Sequence, residues 1–351
     1  MALFGRKNEK EEEKIPVRGK GEKKGFTDRP PRKKKIELPT PWSKKERILV
    51  LSVLLTTVVI AGVLAASARS WKLPNLPRLS LPFFEFLKGG VVTLEGNGAT
   101  SEDFAKADKV SSEFREVTRK LSGVYTFFVI NLESGFSYGL GQDEILQAAS
   151  LIKLPTMAGM YMEAEAGRLS LDEVYTLRNE DKVAGSGSLY GKPAGTKLTY
   201  RELIEYMGQE SDNTAYRAVL NILGEERVKE IINEIGMVET SLDENETTPE
   251  DIGLFFRKLW GGNLISERNR DELLGYMTGT IYEEWLVAGI PENVRVAHKY
   301  GRELHVVNDA GIVFAQKPFV VVIMTKGVVE SEADEIFPEL TRIIYSAESS
   351  D

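Results

Sequence analysis

Residues 148–157 read AASLIKLPTM and place one lysine, Lys153, inside an otherwise apolar run. An unpaired buried ammonium costs several kcal/mol, so a lysine there needs a partner or a task. Ser150 lies three residues earlier, so on a helix the two side chains share a face and the amine reaches the hydroxyl. A neutral amine in that position takes the serine proton and makes the oxygen a nucleophile. The plainer reading is a surface lysine beside a helix-capping serine. A serine and lysine at this spacing arise about once by chance in a chain this long, so the decision rests on what surrounds them.

Composition narrows the chemistry. The 351 residues are 42% hydrophobic, with 31 Gly and 14 Pro. That suits one sizeable domain with extensions, or two small ones. There is no cysteine, which excludes disulfides, thiolate catalysis and cysteine-ligated zinc. Such a domain relies on its core alone, which about 250 residues can supply. The two histidines, His298 and His305, make a multi-histidine metal site unexpected. No metal and no cofactor is implied.

Charge is split along the chain. Residues 1–47 hold 16 Lys/Arg against 8 Asp/Glu, a net +8, and the remainder carries −16 to give −8 overall. A basic arm on an acidic body suggests nucleic acid or membrane. The next segment favours membrane, and no nucleic-acid partner is expected. Residues 48–68 read ILVLSVLLTTVVIAGVLAASA, 21 residues without a charge, long enough to cross the hydrocarbon core. Lys44, Lys45 and Arg47 precede it, and Trp42 and Trp71 bracket it. The positive-inside rule then puts the N-terminus in the cytoplasm and the bulk of the chain outside. Ala66-Ser67-Ala68 also fits a signal-peptide cleavage site, but the long basic leader favours a retained anchor.

The expected organisation is a disordered basic cytoplasmic tail (1–47), a transmembrane anchor (48–68), a Pro- and Gly-rich linker (69–99) and a folded domain (100–351). Within the linker, LSLPFFEFL is apolar enough to lie on a membrane surface or dock on the domain. From Ser101 a capping serine and helical spacing predict a helix. VYTFFVINLESGFSYGLG then predicts a hairpin turning at Glu133-Ser134-Gly135. The helix carrying Ser150 follows, then a mostly helical middle with a capping box at Thr199 and Glu202 and a helix opening at Thr248-Pro249. VRVAHKYG, ELHVVNDAGIVF and PFVVVIMTKG predict late strands, and residues 331–346 a closing helix. Strands at both ends with helices between predict an α+β fold: an antiparallel sheet of about five strands joining the chain ends, plus an inserted helical subdomain.

Three further stretches bear on Ser150. Ser211-Asp212-Asn213 follows an amphipathic helix and also suits an N-cap. Lys299-Tyr300-Gly301 ends one strand near a turn. Gly185 to Gly191, GSGSLYG, is a flexible loop before the Ser-Asp-Asn. Together these resemble the serine β-lactamase and penicillin-binding superfamily, most closely the class A β-lactamase type. Its motifs are S-x-x-K, S-D-N and K-[ST]-G, in this order. Ser150-Leu-Ile-Lys153 and Ser211-Asp212-Asn213 match fully and each occurs once, while Lys299-Tyr300-Gly301 matches at two of three positions. Asn308-Asp309 is similar to the family's following strand. The resemblance covers roughly residues 100–347.

The resemblance implies a β-lactamase/transpeptidase-like fold and roles for named residues. Ser150 attacks a carbonyl and forms an acyl-enzyme. Lys153 is the base, directly or through water. A free lysine is neutral in only about one part in 2,500 at pH 7; burial and the second ammonium, Lys299, push its pKa down. Ser211 passes the proton to the leaving nitrogen, and Asn213 holds the substrate amide. The N–H groups of Ser150 and Arg302 form an oxyanion hole, each donor worth roughly 3 kcal/mol. Tyr190 flanks the cleft. The implied substrate is a β-lactam or a peptidoglycan peptide.

The family pattern is broken twice. Class A enzymes carry a glutamate in an E-x-x-L-N loop; here the loop GMVETSLDENETTP is short and offers only Glu239, Glu244 and Glu246 nearby. Tyr300 replaces the hydroxyl residue that helps bind the substrate carboxylate. Both departures fit a slow β-lactamase, a D-Ala-D-Ala cell-wall peptidase or penicillin-binding protein, or a non-hydrolysing muropeptide or β-lactam sensor. A competing nucleophile-elbow match, Gly135-Phe136-Ser137-Tyr138-Gly139, puts its serine mid-strand and would need His298 or His305 for a triad.

Overall fold

The computed structural model describes residues 53–54, 56–57, 92–94 and 99–350. The expected tail, nearly all of the expected anchor and most of the linker lie outside them. Among the described residues no helix is long and apolar enough to cross a membrane.

Strands bring the two ends of the folded domain together. β1 (Val92–Leu94), β2 (Val124–Asn131), β3 (Ser137–Leu140), β8 (Val296–Glu303), β9 (Val306–Val313) and β10 (Phe319–Lys326) form one antiparallel sheet in the order β1-β3-β2-β10-β9-β8. The sequence expects about five strands; the sixth, β1, is a short edge strand from within the expected linker, with Val92 opposite Gly139. Alternating residues divide between two apolar clusters, as the period of two requires. Phe127, Val129, Val321 and Ile323 pack with the first and last helices of the folded domain, α1 (Ser101–Thr118) and α8 (Glu330–Glu348). Phe128, Ile130, Val320 and Val322 face the inserted helices instead.

That insertion holds α2 (Lys153–Glu165), α3 (Tyr200–Gln209), α4 (Asn213–Leu223), α5 (Glu225–Ile235), α6 (Pro249–Trp260) and α7 (Glu267–Tyr276), with a small antiparallel pair of β5 (Val174–Thr176) and β6 (Lys197–Thr199). Thr248 caps α6 through the Asp251 N–H at 3.1 Å, with Pro249 at the first helical position. The residues of α2 from Lys153 through Tyr161 are all buried, the mark of a helix central to its subdomain rather than lying on its surface. The predicted α+β architecture is therefore the observed one. The site lies where this subdomain meets the sheet's outer strand, β8.

Candidate active site

Two short strands lead the chain to Ser150. β4 (Leu146–Gln147) pairs with β7 (Glu246–Thr247), and the Ala148 N–H donates to the Asn245 carbonyl at 2.8 Å. Ala149 then takes φ +48°, a left-handed value that costs a residue with a Cβ on the order of 1 kcal/mol or more. The sequence predicts one helix through Ser150 and Lys153. Instead, Ser150 occupies a single 3-10 turn, Ala149–Ile152, and α2 begins at Lys153. A 3-10 turn eclipses residues three apart, so the two side chains still share a face. Ser150 is partly exposed between buried Ala149 and Leu151.

Lys153 is 2% exposed. Its Nζ donates to the Ser211 carbonyl, to Ser211 Oγ at 3.3 Å and to Asn213 Oδ1 at 2.7 Å. Among the described hydrogen bonds, the Ser150 hydroxyl is not one of its acceptors: the amine is turned to the Ser-Asp-Asn turn. Burial pulls its pKa down to about 7, against a partial restoring pull from the Asp212 carboxylate. About half of the amines are then neutral at pH 7, where a free lysine offers about one part in 2,500.

The Ser-Asp-Asn turn is both cap and site. Asp212 caps α4 by accepting from the Ala215 N–H at 2.8 Å, and its other oxygen accepts from the Leu189 N–H at 2.8 Å. This pins the glycine-rich loop against the turn. A Cβ on Gly187, at φ +87°, would lie 2.0 Å from Asp212 Oδ2, so the loop closes only with glycine there. Ser211 is buried at φ +53°. Asn213 Nδ2 donates to the Ala184 carbonyl at 3.1 Å, so its amide is oriented from both ends. Tyr190 is exposed on this loop, its carbonyl accepting from Lys182 Nζ at 3.2 Å.

β8 forms the opposite wall. A Cβ on Gly301 would stand 2.8 Å from the Ser150 nitrogen, so the strand can approach the Ser150 N–H only at a glycine. Lys299 shares that side of the strand. It has no exposed surface, and its Nζ donates to the Tyr300 carbonyl at 2.8 Å. Burial and then the Lys153 charge hold its pKa well below the lysine range. Asn308, opposite Gly301 on β9, donates to the carbonyls of Gln147 and Ala148 at 2.8 and 3.3 Å, which locks the strand leading to Ser150 to the sheet.

Tyr300 and Arg302 point the other way. Tyr300 is 8% exposed and packs on Tyr282 and Trp285, with ring centroids 5.3 and 6.4 Å away. Burial and the charges of Asp309 and Glu210 push its phenol up to about 12. The Arg302 guanidinium pairs with Asp334 at 3.0 and 3.1 Å. Sequence reasoning missed this aromatic shelf and Asp334. Buried His298, which the sequence offers only as a triad candidate, instead bridges Asp309 at 2.8 Å and Thr280 at 3.1 Å. Tyr282 and Trp285 come from a stretch without motif or apolar period, whereas Asp334 sits in the predicted closing helix, whose pattern does not name its partner.

The competing serine is not at an elbow. Ser137 opens β3, paired with Ile130 of β2, and both ring nitrogens of His298 have other partners. Of the three loop acids, the Glu239 backbone N–H donates to Asp251 at 2.9 Å, and the Glu244 N–H donates to Ser241 Oγ at 3.2 Å. Glu246 lies opposite Gln147 in β7, three residues before Ser150.

Residues 109–347 match the family model described as the beta-lactamase enzyme family, Beta-lactamase2. Beta-lactamase OXY-1 of Klebsiella oxytoca is 24% identical over 244 residues, 65% of this chain and 84% of that one. The structure of PBP-A superposes with a TM-score of 0.65 at 27% identity, covering 68% of this chain and 95% of that one. A PBP-A variant solved as an acyl-enzyme complex with penicillin-G superposes at 0.63, with 27% identity over 68% of this chain and 96% of that one. With its three motifs brought together around Ser150, this chain belongs to the beta-lactamase enzyme family and is a serine hydrolase.

Proposed function

We propose that Ser150 forms an acyl-enzyme with strained or activated amides, β-lactams among them, and that the acyl group leaves slowly. The observation that carries this is the buried Lys153 amine held on Ser211 and Asn213, with Gly301 of β8 set against the Ser150 N–H. Lys153 acts as base, with Ser211 relaying protons between the amine and the substrate. As Ser150 Oγ bonds to the carbonyl carbon, its proton passes into this relay. The carbon–nitrogen bond then breaks, and the leaving nitrogen takes the proton. The Ser150 and Arg302 N–H groups receive the oxyanion, and one side of the cleft is closed by Asn213 and the Tyr190 loop. The PBP-A acyl-enzyme at the same fold supports the penicillin-type substrate.

Slow deacylation follows from the loop before β7, which lacks the E-x-x-L-N glutamate. Intact-mass spectrometry of the full-length chain with penicillin-G tests both steps. The expected result is a mass gain that persists, absent in Ser150→Ala. Rapid loss of the adduct with continuing turnover would overturn the slow step, and no serine-dependent adduct would overturn the acyl-enzyme.

The basic leader and the apolar run at residues 48–68 support an anchored chain with the hydrolase domain outside the membrane. Fractionation of the expressed chain, with protease added to intact cells or spheroplasts, tests this. Recovery in the soluble fraction at full length would overturn it.

A further inference from the structure

A substrate carboxylate needs an available cation or a cluster of free donors. Among the described residues, the cations on the elements around Ser150 are engaged. Lys153 is bonded to Ser211 and Asn213. Lys299 is sealed from solvent, its amine on the Tyr300 carbonyl and 4.2 Å from the Tyr300 ring centroid. Arg302, the cation of β8 with solvent access, is held bidentate by Asp334, with Glu330 at 3.9 Å and the Trp285 ring 5.7 Å from its guanidinium. Lys182 is turned to the carbonyls of Tyr190 and Lys192.

One acid stands on the Ser-Asp-Asn turn itself. Glu210 precedes Ser211 directly and accepts from the Ser188 N–H at 2.7 Å. Its charge reaches across to the Tyr300 phenol. Tyr300 itself is fixed in the Tyr282–Trp285 shelf, with little of it left to offer a hydroxyl to a ligand.

We propose that this cleft selects acyl donors whose leaving-group side is neutral, an amide or ester rather than a free carboxylate, because the Arg302–Asp334 pair and the packed Tyr300 leave an anion no partner. The inference rests on the acyl-enzyme reading of Ser150 and names its substrate class.

The test compares penicillin-G with its methyl ester on the full-length chain. Acylation rates come from quenched intact-mass spectrometry, each divided by that probe's own hydroxide-catalysed ring-opening rate. The ester is expected to label Ser150 about tenfold faster or more on this scale. Asp334→Asn loosens the guanidinium and is expected to raise the free-acid rate about tenfold with little change for the ester. Equal or faster labelling by the free acid in the unaltered chain would overturn the selectivity while leaving the acyl-enzyme intact. No Ser150-dependent labelling by either probe would overturn both.

Discussion

Lys153 and Lys299 are two amines that this fold keeps from water, at a cost in stability that the proposed catalysis requires. Lys153, with its pKa near 7, must be neutral to act as base. The acylation rate is therefore expected to fall about tenfold per pH unit below 7 and to level above it, readable from burst kinetics across pH 5–9. Its pKa is depressed on folding, so between about 7 and 10.4 the unfolded chain holds a proton that the folded chain lacks. Stability contributed by this group thus rises with pH through that window, and below it the buried charge costs the most. Lys299 has no exposed surface and one carbonyl acceptor. Lys299→Met should raise Tm, by about 2–4 °C for each kcal/mol recovered, while cutting acylation at least 100-fold, about 2.7 kcal/mol of barrier. A lower Tm by calorimetry would show that the amine stabilises the fold. Gly301→Ala sets its methyl against the Ser150 N–H, where 2.8 Å is available. Acylation should drop by a similar factor with the circular dichroism spectrum unchanged.

At the scale of elements, the site is a clamp between a loop, a helix start and a strand. Asp212 joins the first two by accepting from Ala215 and Leu189, and Gly187 is the residue that permits the contact. Gly187→Ala combines a left-handed φ with a methyl 2.0 Å from the carboxylate. It is expected to destabilise by about 2 kcal/mol or more and to slow acylation by freeing the Ser211 turn. A urea midpoint within error of the unaltered chain would refute this. The three motifs were legible because each is local: a tight turn, a cap, and a run within one strand, which the sequence ends at Gly301 but β8 carries on to Glu303. The fate of the third motif's side chains was not. Tyr300 reads as a longer hydroxyl in the cleft, yet its position in β8 sends it to the opposite face, onto Tyr282 and Trp285 from a stretch with no helical or strand period. Arg302 was legible as a backbone donor, but its partner Asp334 lies 32 residues away on α8. Ser150 was read into a helix because composition does not distinguish a 3-10 turn from a first α-turn. Only the backbone at Ala149 shows the break.

At the scale of the molecule, long apolar runs made the sheet and helical insertion readable. β10 is buried from Phe319 through Thr325, as a strand covered on both faces must be. The two-residue pairing of β4 with β7 and the three-residue β1 were beyond any periodicity argument, since so few residues define no period. What closes the fold is a carboxylate at its far end. Glu348, the last residue of α8 and 3% exposed, accepts from Tyr138 Oη at 2.9 Å and pairs with Lys106 Nζ of α1 at 2.9 Å. It thereby ties the last helix to the first and to β3. The carboxylate also holds the Tyr138 phenol well above its ordinary pKa, after burial. Glu348→Ala strands a buried hydroxyl and removes the tie, so a loss of about 2–3 kcal/mol is expected. The urea midpoint should fall while the acylation rate in buffer stays within about twofold, because nothing near Ser150 leans on this residue. Glu348→Gln keeps an acceptor for Tyr138 and should recover part of the loss. Equal midpoints for the alanine variant and the unaltered chain would show that the two end helices hold by apolar packing alone.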